Sequence, residues 1–596
     1  MNAARTLTGM AILALASGLA RAESTAHQRL VSLAQDVTFT TARVFPMTAT
    51  FLGIPGHDGE LETPSEAFRA AHVARLQEWE RRLEAISAGF DEHTALADRD
   101  DATLLRARLT RSLDELLVYQ SDRKDYADPA TSIVNVVFVQ FQHLPVAGQE
   151  GATPADVKRA WADIVSRLAG APAYIAAAER LVTMPCHLYG VVGARELAGA
   201  PDFLDGALTD AAREQLGARS SEFNRFLKAR TAATAAIAQT RQYLEQHAQS
   251  WPDNYAIGRP AYDHMLKEEQ LLPFDAVDVE RIAHDELAHG WAEEAWLRQE
   301  AQHRGIALGA ASGGGLAPGG SALIEYYRDC IAQLRKFVAD QSIVTIPEWL
   351  GKLPIVETPA FMQPVSPGAS MRPPRLFSLS TTGYYYITPP KSLTEAAARL
   401  DMNVDFDRDR IMSTAAHEAL PGHFMQLSIA RRHPDFVRRT EFSGVFAEGW
   451  AFYGEEMFVR LGLYGDDLDA RLDVARWERV RGARAVVDPK LASGEWSYEQ
   501  AARFFEEQTG FTKEQAEAAV AGIAARAGYV IAYSVGRLQI EQLLAEYMHR
   551  KGNDASLHDF HDRLLSYGTT PLAILGPELL ADLDKPSSEV RAAANY

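Results

Sequence analysis

The sequence predicts a mainly α-helical protein of two lobes, with a small β-sheet beside the helix that carries its chemistry. Three observations lead there. Apolar residues recur at helical spacing between recognisable caps over most of the chain. Strand-like runs are few and gather near the middle. A glycine-rich stretch, Ser312 to Ser321, interrupts the pattern. That break separates an expected N-terminal helical lobe, 23–311, from a C-terminal lobe, 322–596, that bears the candidate site; one continuous domain is expected to span 23–596.

The first 22 residues read as an export signal. Arg5 supplies the positive start, Met10 to Leu19 is apolar but too short to span a bilayer, and Ala20-Arg21-Ala22 is an A-x-A cleavage site that leaves Glu23 first. No cysteine lies near it, so no lipid-anchor site is expected. From Ser65, the positions Phe68, Leu76, Trp79, Leu83 and Ile86 follow one helix face as far as Gly89. Leu105, Leu109, Leu113 and Leu116 mark a second helix. A third opens on Thr153 as N-cap, with Pro154 at N1 and Asp156 in the first turn, then Trp161, Ile164 and Leu168 before Gly170. The strand-like runs are Ile343 to Ile346, Leu376 to Ser380 and Tyr384 to Thr388. The six prolines between Pro354 and Pro374 predict an irregular but ordered loop leading into the sheet.

Charge excludes some functions. The formal net charge of −19 falls to −21 without Arg5 and Arg21. So negative a surface repels phosphate backbones and anionic lipid, and no nucleic-acid partner is expected. No other run is long and apolar enough to cross a bilayer, so no integral membrane segment is expected after signal removal and the expected address is periplasmic or secreted. Cys186 and Cys330 are the two cysteines, too few for a cysteine-built zinc site. A bridge between them and two buried thiols both remain open.

The informative stretch is His417-Glu418-Ala419-Leu420-Pro421-Gly422-His423. In the zinc motif H-E-x-x-H, two histidines four apart face one metal from a helix, and the glutamate reaches a metal-bound water as general base. Here the histidines are six apart and on a regular helix would diverge by roughly 120°. Pro421 lacks an N–H and clashes with the carbonyl of His417, and Gly422 permits a sharp or left-handed step. The helix must therefore break. Without Pro-Gly the segment is His-Glu-Ala-Leu-His, so it reads as that motif with a two-residue insertion that returns His423 to the metal. A plain helix end with incidental histidines is the alternative. The next segment, Ala447-Glu448-Gly449-Trp450-Ala451-Phe452-Tyr453-Gly454-Glu455, favours the metal, because carboxylates on so apolar a helix need a partner. Glu448 supplies the third ligand of a His2Glu site with one position open, the pattern of catalytic zinc. Glu455, nearly on the same face, is a candidate to support a ligand from behind. His284-Asp285-Glu286-Leu287-Ala288-His289 has histidines five apart and no third ligand, and reads as a polar helix face.

Around this set, Gly383-Tyr384-Tyr385-Tyr386-Ile387 predicts a strand to whose edge a substrate peptide could add, or an ordinary core strand. Asp488 and Arg484 are candidates for support of the ligands, with surface charge the alternative for Arg484. Gly528-Tyr529, Tyr533, Gly536 and Arg537 read as one helix-like segment, from which a phenol could donate to an oxyanion or simply pack in the core.

The paired motifs His-Glu-Ala-Leu-Pro-Gly-His and Ala-Glu-Gly-Trp-Ala-Phe-Tyr-Gly-Glu resemble those of the bacterial family known as domain of unknown function 885. Phe45-Pro46 to Gly53 resembles its N-terminal signature and Tyr533 to Gly536 its C-terminal one, so the resemblance covers nearly the whole mature chain. That family in turn resembles the gluzincin peptidases, especially the mostly helical ones with a deep cleft. The resemblance implies that His417, His423 and Glu448 bind one zinc ion, that Glu418 is the base and that Tyr533 steadies the transition state. Where many members carry Asp-Thr-Gly-Leu-His this chain has Asp488-Pro489-Lys490-Leu491-Ala492, and where many have Pro-Gly-Gln it has Ala527-Gly528-Tyr529. The expected function is a secreted zinc-dependent hydrolase of peptide bonds. A zinc amidohydrolase of non-peptide amides or modified amino acids and an inactive envelope binding protein are the alternatives. A peptide or amide substrate is the expected partner.

Overall fold

The structure, a computed structural model, describes residues 25–145, 152–308, 321–359, 369–388 and 408–596. The export signal, the glycine-rich stretch up to residue 320, Pro389-Pro390 and the middle of the proline-rich loop lie outside the described residues. The principal helices, in chain order, are α1 (Ala26–Val44), α2 (Glu66–Ser87), α3 (Leu96–Asp114), α4 (Pro154–Glu179), α5 (Ala276–Arg304), α6 (Ser321–Asp340), α7 (Arg408–Glu418), α8 (His423–Ala430), α9 (Gly444–Arg460), α10 (Leu468–Ala492) and α11 (Ala532–Lys551). A three-stranded sheet of β1 (Ile355–Glu357), β2 (Ala369–Arg372) and β3 (Tyr384–Ile387) lies between α6 and α7 in the chain. The protein is thus mainly helical with one small sheet.

Side-chain caps start the helices where the sequence places them. Ser65 Oγ accepts from Phe68 N at 3.1 Å, and Thr153 and Asp156 form a reciprocal capping box. Helix α4 does not stop at Gly170. It runs through Gly170 and Pro172 to Glu179, because Ile164, Leu168, Ala171 and Ile175 continue one buried stripe.

The sheet departs from expectation. Of the three strand-like runs only Tyr384–Ile387 is a strand; the other two strands come from the proline-rich loop. The backbone of the remaining runs is occupied elsewhere, as buried polar groups must be. His561 Nδ1 meets the Ile343 carbonyl at 2.8 Å, and Asp562 takes the Thr345 N–H at 2.8 Å. Leu52 takes the Phe377 N–H, while Arg431 donates to the carbonyls of Ser378 and Ser380. Strand β3 is central, parallel to β1 and antiparallel to β2, with Tyr385 opposite Ile355 and Met371. Both edges of β3 are paired, so a peptide cannot add beside Tyr385, which packs in the core against Tyr327.

The cores join distant parts of the chain. One cluster unites Leu188, Tyr262 and Leu287 with Val445, Val486 and Val535; another sets Tyr386 among the N-terminal helices. Cys186 and Cys330 lie in different clusters and are not bridged. Helix α9 is buried nearly all round, as its apolar sequence requires.

Helix α9 meets α11 with no side chain between them. A Cβ at Gly536 would lie 2.0 Å from the Val445 carbonyl oxygen, and one at Gly449 would lie 2.5 Å from the backbone of Gly536. Gly536→Ala is therefore expected to lower stability by about 1–3 kcal/mol through forced separation of the helices. Gly454→Ala, on the same helix with nothing nearby, is expected to be neutral or stabilising. Urea midpoints of the two variants test this, and equal midpoints would contradict the close crossing.

Candidate metal centre

Helix α7 ends at Glu418 and α8 begins at His423, so the helix breaks where Pro421 forbids its continuation. The step at Gly422 is not left-handed: φ is −66° and ψ is −144°. The glycine is needed for space instead, since a Cβ there would fall 1.8 Å from the His417 carbonyl oxygen. Trp450, fully buried on α9, donates from Nε1 to the Pro421 carbonyl at 2.8 Å and pins the break from outside.

The break swings His423 back to His417. Their rings meet edge to face with centroids 4.7 Å apart. Glu448 enters from α9, with Oε2 3.4 Å from His417 Nε2 and 3.3 Å from His423 Nε2. All three residues are buried. Glu448 Oε2 and His423 Nδ1 have no hydrogen-bond partner. Burial pushes the Glu448 carboxyl up, but the two imidazoles outweigh it and hold the group well below the usual carboxylate range.

Glu455, two turns further along α9, accepts from His417 Nδ1 at 2.7 Å. It also accepts from both terminal nitrogens of Arg481, at 3.0 and 2.6 Å, and from Ser413 Oγ at 3.2 Å. Burial raises its carboxyl, and the Arg481 charge and the His417 bond more than reverse this. With Nδ1 held, His417 keeps Nε2 toward Glu448, the orientation a metal ligand needs. Burial lowers the His417 imidazole, and Glu448 and Glu455 together raise it above its ordinary value. Glu418 sits half-buried beside His417 at the end of α7.

The tyrosines divide their roles. Tyr529 precedes α11 rather than lying on it, in a turn made at Gly528 (φ +75°). Its hydroxyl donates to Glu448 Oε1 at 2.6 Å. Tyr533, in the first turn of α11, stacks on His417 with centroids 6.1 Å apart and lies under Arg481. Burial and the nearby Glu448 charge raise its phenol far above its ordinary value.

Four expectations need correction. Asp488 does not orient a histidine; Glu455 does. Asp488 Oδ1 instead accepts from Tyr262 at 3.1 Å and from Gly528 N at 2.8 Å, holding the turn that presents Tyr529. Arg537 turns away from the histidines to bind Glu286 and Glu456, at 2.7 and 2.5 Å. This also removes Glu286 from the solvated face expected for His284 to His289, because the carboxylate is buried against that arginine. Arg484 is half-buried near Tyr533 and Arg481 rather than a surface charge. Sequence reasoning missed Trp450 and Arg481. Nothing local marks Arg481, which sits among Arg476, Glu478, Arg479 and Arg484 and is set apart only by its partner Glu455.

His417, His423 and Glu448 each offer a ligand atom within 4.8 Å of the others and could hold a metal ion. His27, Asp101 and Asp435 meet the same limit. There, Asp101 Oδ1 already takes Arg438 Nε at 2.9 Å, and Asp435 caps a short helix through Arg438 N at 3.1 Å.

The family model described as "Bacterial protein of unknown function (DUF885)" matches residues 46–579, and the chain belongs to that family. Two solved structures share the fold. One is described as "a putative lipoprotein of unknown function from Shewanella oneidensis", at TM-score 0.70 and 19% identity, covering 93% of this chain and 100% of that one. The other, "the putative lipoprotein from Colwellia psychrerythraea", has TM-score 0.75 and 19% identity over 94% of this chain and 100% of its own. No curated protein matches the chain.

Burial pushes the Asp488 carboxyl up to about 7. An unfolded Asp loses its proton near about pH 4, so between these values the folded chain binds more protons and stability falls as pH rises. Asp488→Asn can still accept both hydrogen bonds. It is expected to gain stability relative to the parent at pH 8 compared with pH 5. Urea midpoints at the two pH values check this, and an unchanged difference would contradict it.

Proposed function

We propose that the chain is an exported zinc-dependent hydrolase of peptide bonds, of the gluzincin type. One observation carries the reading. The buried Glu448 Oε2 makes no hydrogen bond, yet lies 3.3 and 3.4 Å from two imidazole Nε2 atoms. Donors bound tetrahedrally to zinc at 2.0–2.1 Å sit about 3.3 Å apart. The Glu448–histidine spacing supports reading the set as one that would hold a cation, and His2Glu with an open position suits catalysis. When bound, zinc supplies a Lewis acid for a water and for the substrate carbonyl.

The chain's own residues supply the rest. Glu418, next to a ligand, accepts the proton of the attacking water and returns it to the leaving amine. Glu455, backed by Arg481, keeps His417 in one tautomer. Tyr529 holds Glu448, and Tyr533 donates to the developing oxyanion. The N-terminal signal pattern supports export. Among the described residues no helix is long and apolar enough to cross a membrane.

Metal analysis of the purified protein is expected to give about one zinc per chain, and chelation is expected to abolish peptide hydrolysis. Glu418→Gln is expected to keep the metal and lower turnover by about 10²–10⁴-fold. Absence of stoichiometric zinc, or an active Glu418→Gln enzyme, would overturn the reading.

The tyrosines should separate in one assay. Tyr533→Phe is expected to lower kcat by about a hundredfold with zinc content unchanged. Tyr529→Phe removes the hydrogen bond to Glu448 and is expected to weaken zinc binding by about tenfold or more. If Tyr529→Phe lowers kcat at full zinc occupancy and Tyr533→Phe does not, the two roles are exchanged.

A further inference from the structure

A cavity of about 390 Å³ reaches Tyr529, the residue whose hydroxyl meets Glu448. Its walls come from both halves of the chain. Ser443 to Val445, one turn before Glu448, and Ala524 to Tyr529 form one side. Two π-helical turns, Glu115–Tyr119 and Met265–Glu269, contribute from the other half. Such turns cost helix stability and recur at functional sites. A hydrogen bond from Tyr119 to Glu269 ties the two together. The size suits a small-molecule or short-peptide site.

Arg111, Lys124 and Arg526 line it together with Glu115, Glu269 and Glu441, and the pairing among them is incomplete. Glu269 is occupied by Tyr119, and burial pushes its carboxyl up to about 7. Glu441 faces Arg111 at 3.7 Å. Lys124 and Arg526 also line the cavity, and among the described residues neither makes an ion pair. Exposed Glu115 acts on Lys124, and Glu196 on Arg526, only through space. Lys124 is half-buried, and burial pushes its ammonium down, so an anion arriving there would relieve the cost of an unpaired cation. The Arg526 guanidinium lies 4.8 Å over the Tyr529 ring, whose far end touches Glu448.

We propose that this cavity, which shares Tyr529 with the metal centre and is lined by none of its ligands, takes the carboxylate end of the substrate, with Arg526 and Lys124 receiving that carboxylate, so the favoured substrates are short peptides or acyl amino acids bearing a free carboxylate close to the scissile bond. The proposal rests on the hydrolase reading. One tyrosine ring separates Arg526 from Glu448, and extended peptide covers about 3.3–3.6 Å per residue, so the carboxylate lies one or two residues beyond the cleaved bond. The aromatic lining, Tyr189, Tyr255 and Phe442, provides apolar surface for the intervening side chains.

The test uses a matched pair, an N-blocked short peptide with a free C-terminal carboxylate and the same peptide as its C-terminal amide. The zinc-loaded enzyme is expected to prefer the acid by about tenfold or more in kcat/KM, mainly through KM. Arg526→Ala and Lys124→Ala are each expected to shrink that ratio several-fold, and Arg526→Lys is expected to keep part of it. Equal cleavage of acid and amide, or variants that leave the ratio unchanged, would overturn the proposal while leaving the hydrolase reading standing. If neither peptide is cleaved, the hydrolase reading fails for them, and calorimetric titration of both into the zinc-loaded protein decides the cleft. Tighter binding of the acid, lost in Arg526→Ala, upholds it, and equal or absent binding overturns it.

Discussion

The candidate centre depends on one steric constraint. There is no room for a side chain between position 422 and the His417 carbonyl, because a Cβ at Gly422 would lie 1.8 Å from that oxygen. This lets the chain double back within four residues and brings together two histidines that a regular helix would hold apart. The reversal is fixed from a third direction by the Trp450 hydrogen bond to Pro421. Trp450 shares α9 with Glu448 and Glu455, so one helix holds the break, brings Glu448 to both histidines and orients His417.

Burying that helix leaves its carboxylates without water, and a buried charge must be paired or bound. Glu455 meets the requirement fully through His417, Arg481 and Ser413. Glu448 takes a hydrogen bond at Oε1, from Tyr529, while Oε2 has only the two imidazoles, at 3.3 and 3.4 Å. Under the proposed reading the contrast separates two roles: the fully satisfied carboxylate positions His417, and the one beside two imidazoles would hold a cation. Arg481 stacks on Phe452 as well as on Tyr533, and Arg537 also contacts the Phe452 ring, at 4.9 Å against 4.5 Å for Arg481. The ionic group around Arg537, Glu286, Glu456 and Glu478 is thereby built onto the same helix that carries the centre.

Much of this was legible in the sequence. Caps and apolar spacing located the long helices, since both act within a few residues of chain. His417, His423, Glu448 and Glu455 stood out because two histidines around Pro-Gly and two acids on an apolar helix each break a local rule. What the sequence obscured was set by tertiary partners. Ile343 to Ile346 has strand composition, yet its backbone is taken by His561 and Asp562, more than two hundred residues away. Tyr384 to Ile387 reads as a strand, but nothing local tells a central strand from an edge. Tyr529 and Tyr533 could not be told apart while both were expected on one helix; the turn at Gly528, held by Asp488, moves Tyr529 off that helix and onto Glu448.

The central claim is that the break at Pro421-Gly422 assembles a zinc site, and a crystal of the zinc-loaded protein tests it most directly. Anomalous diffraction recorded on either side of the zinc absorption edge should show a single strong peak within bonding distance of His417 Nε2, His423 Nε2 and Glu448. No peak there, or a peak at His27, Asp101 and Asp435 instead, would contradict the account.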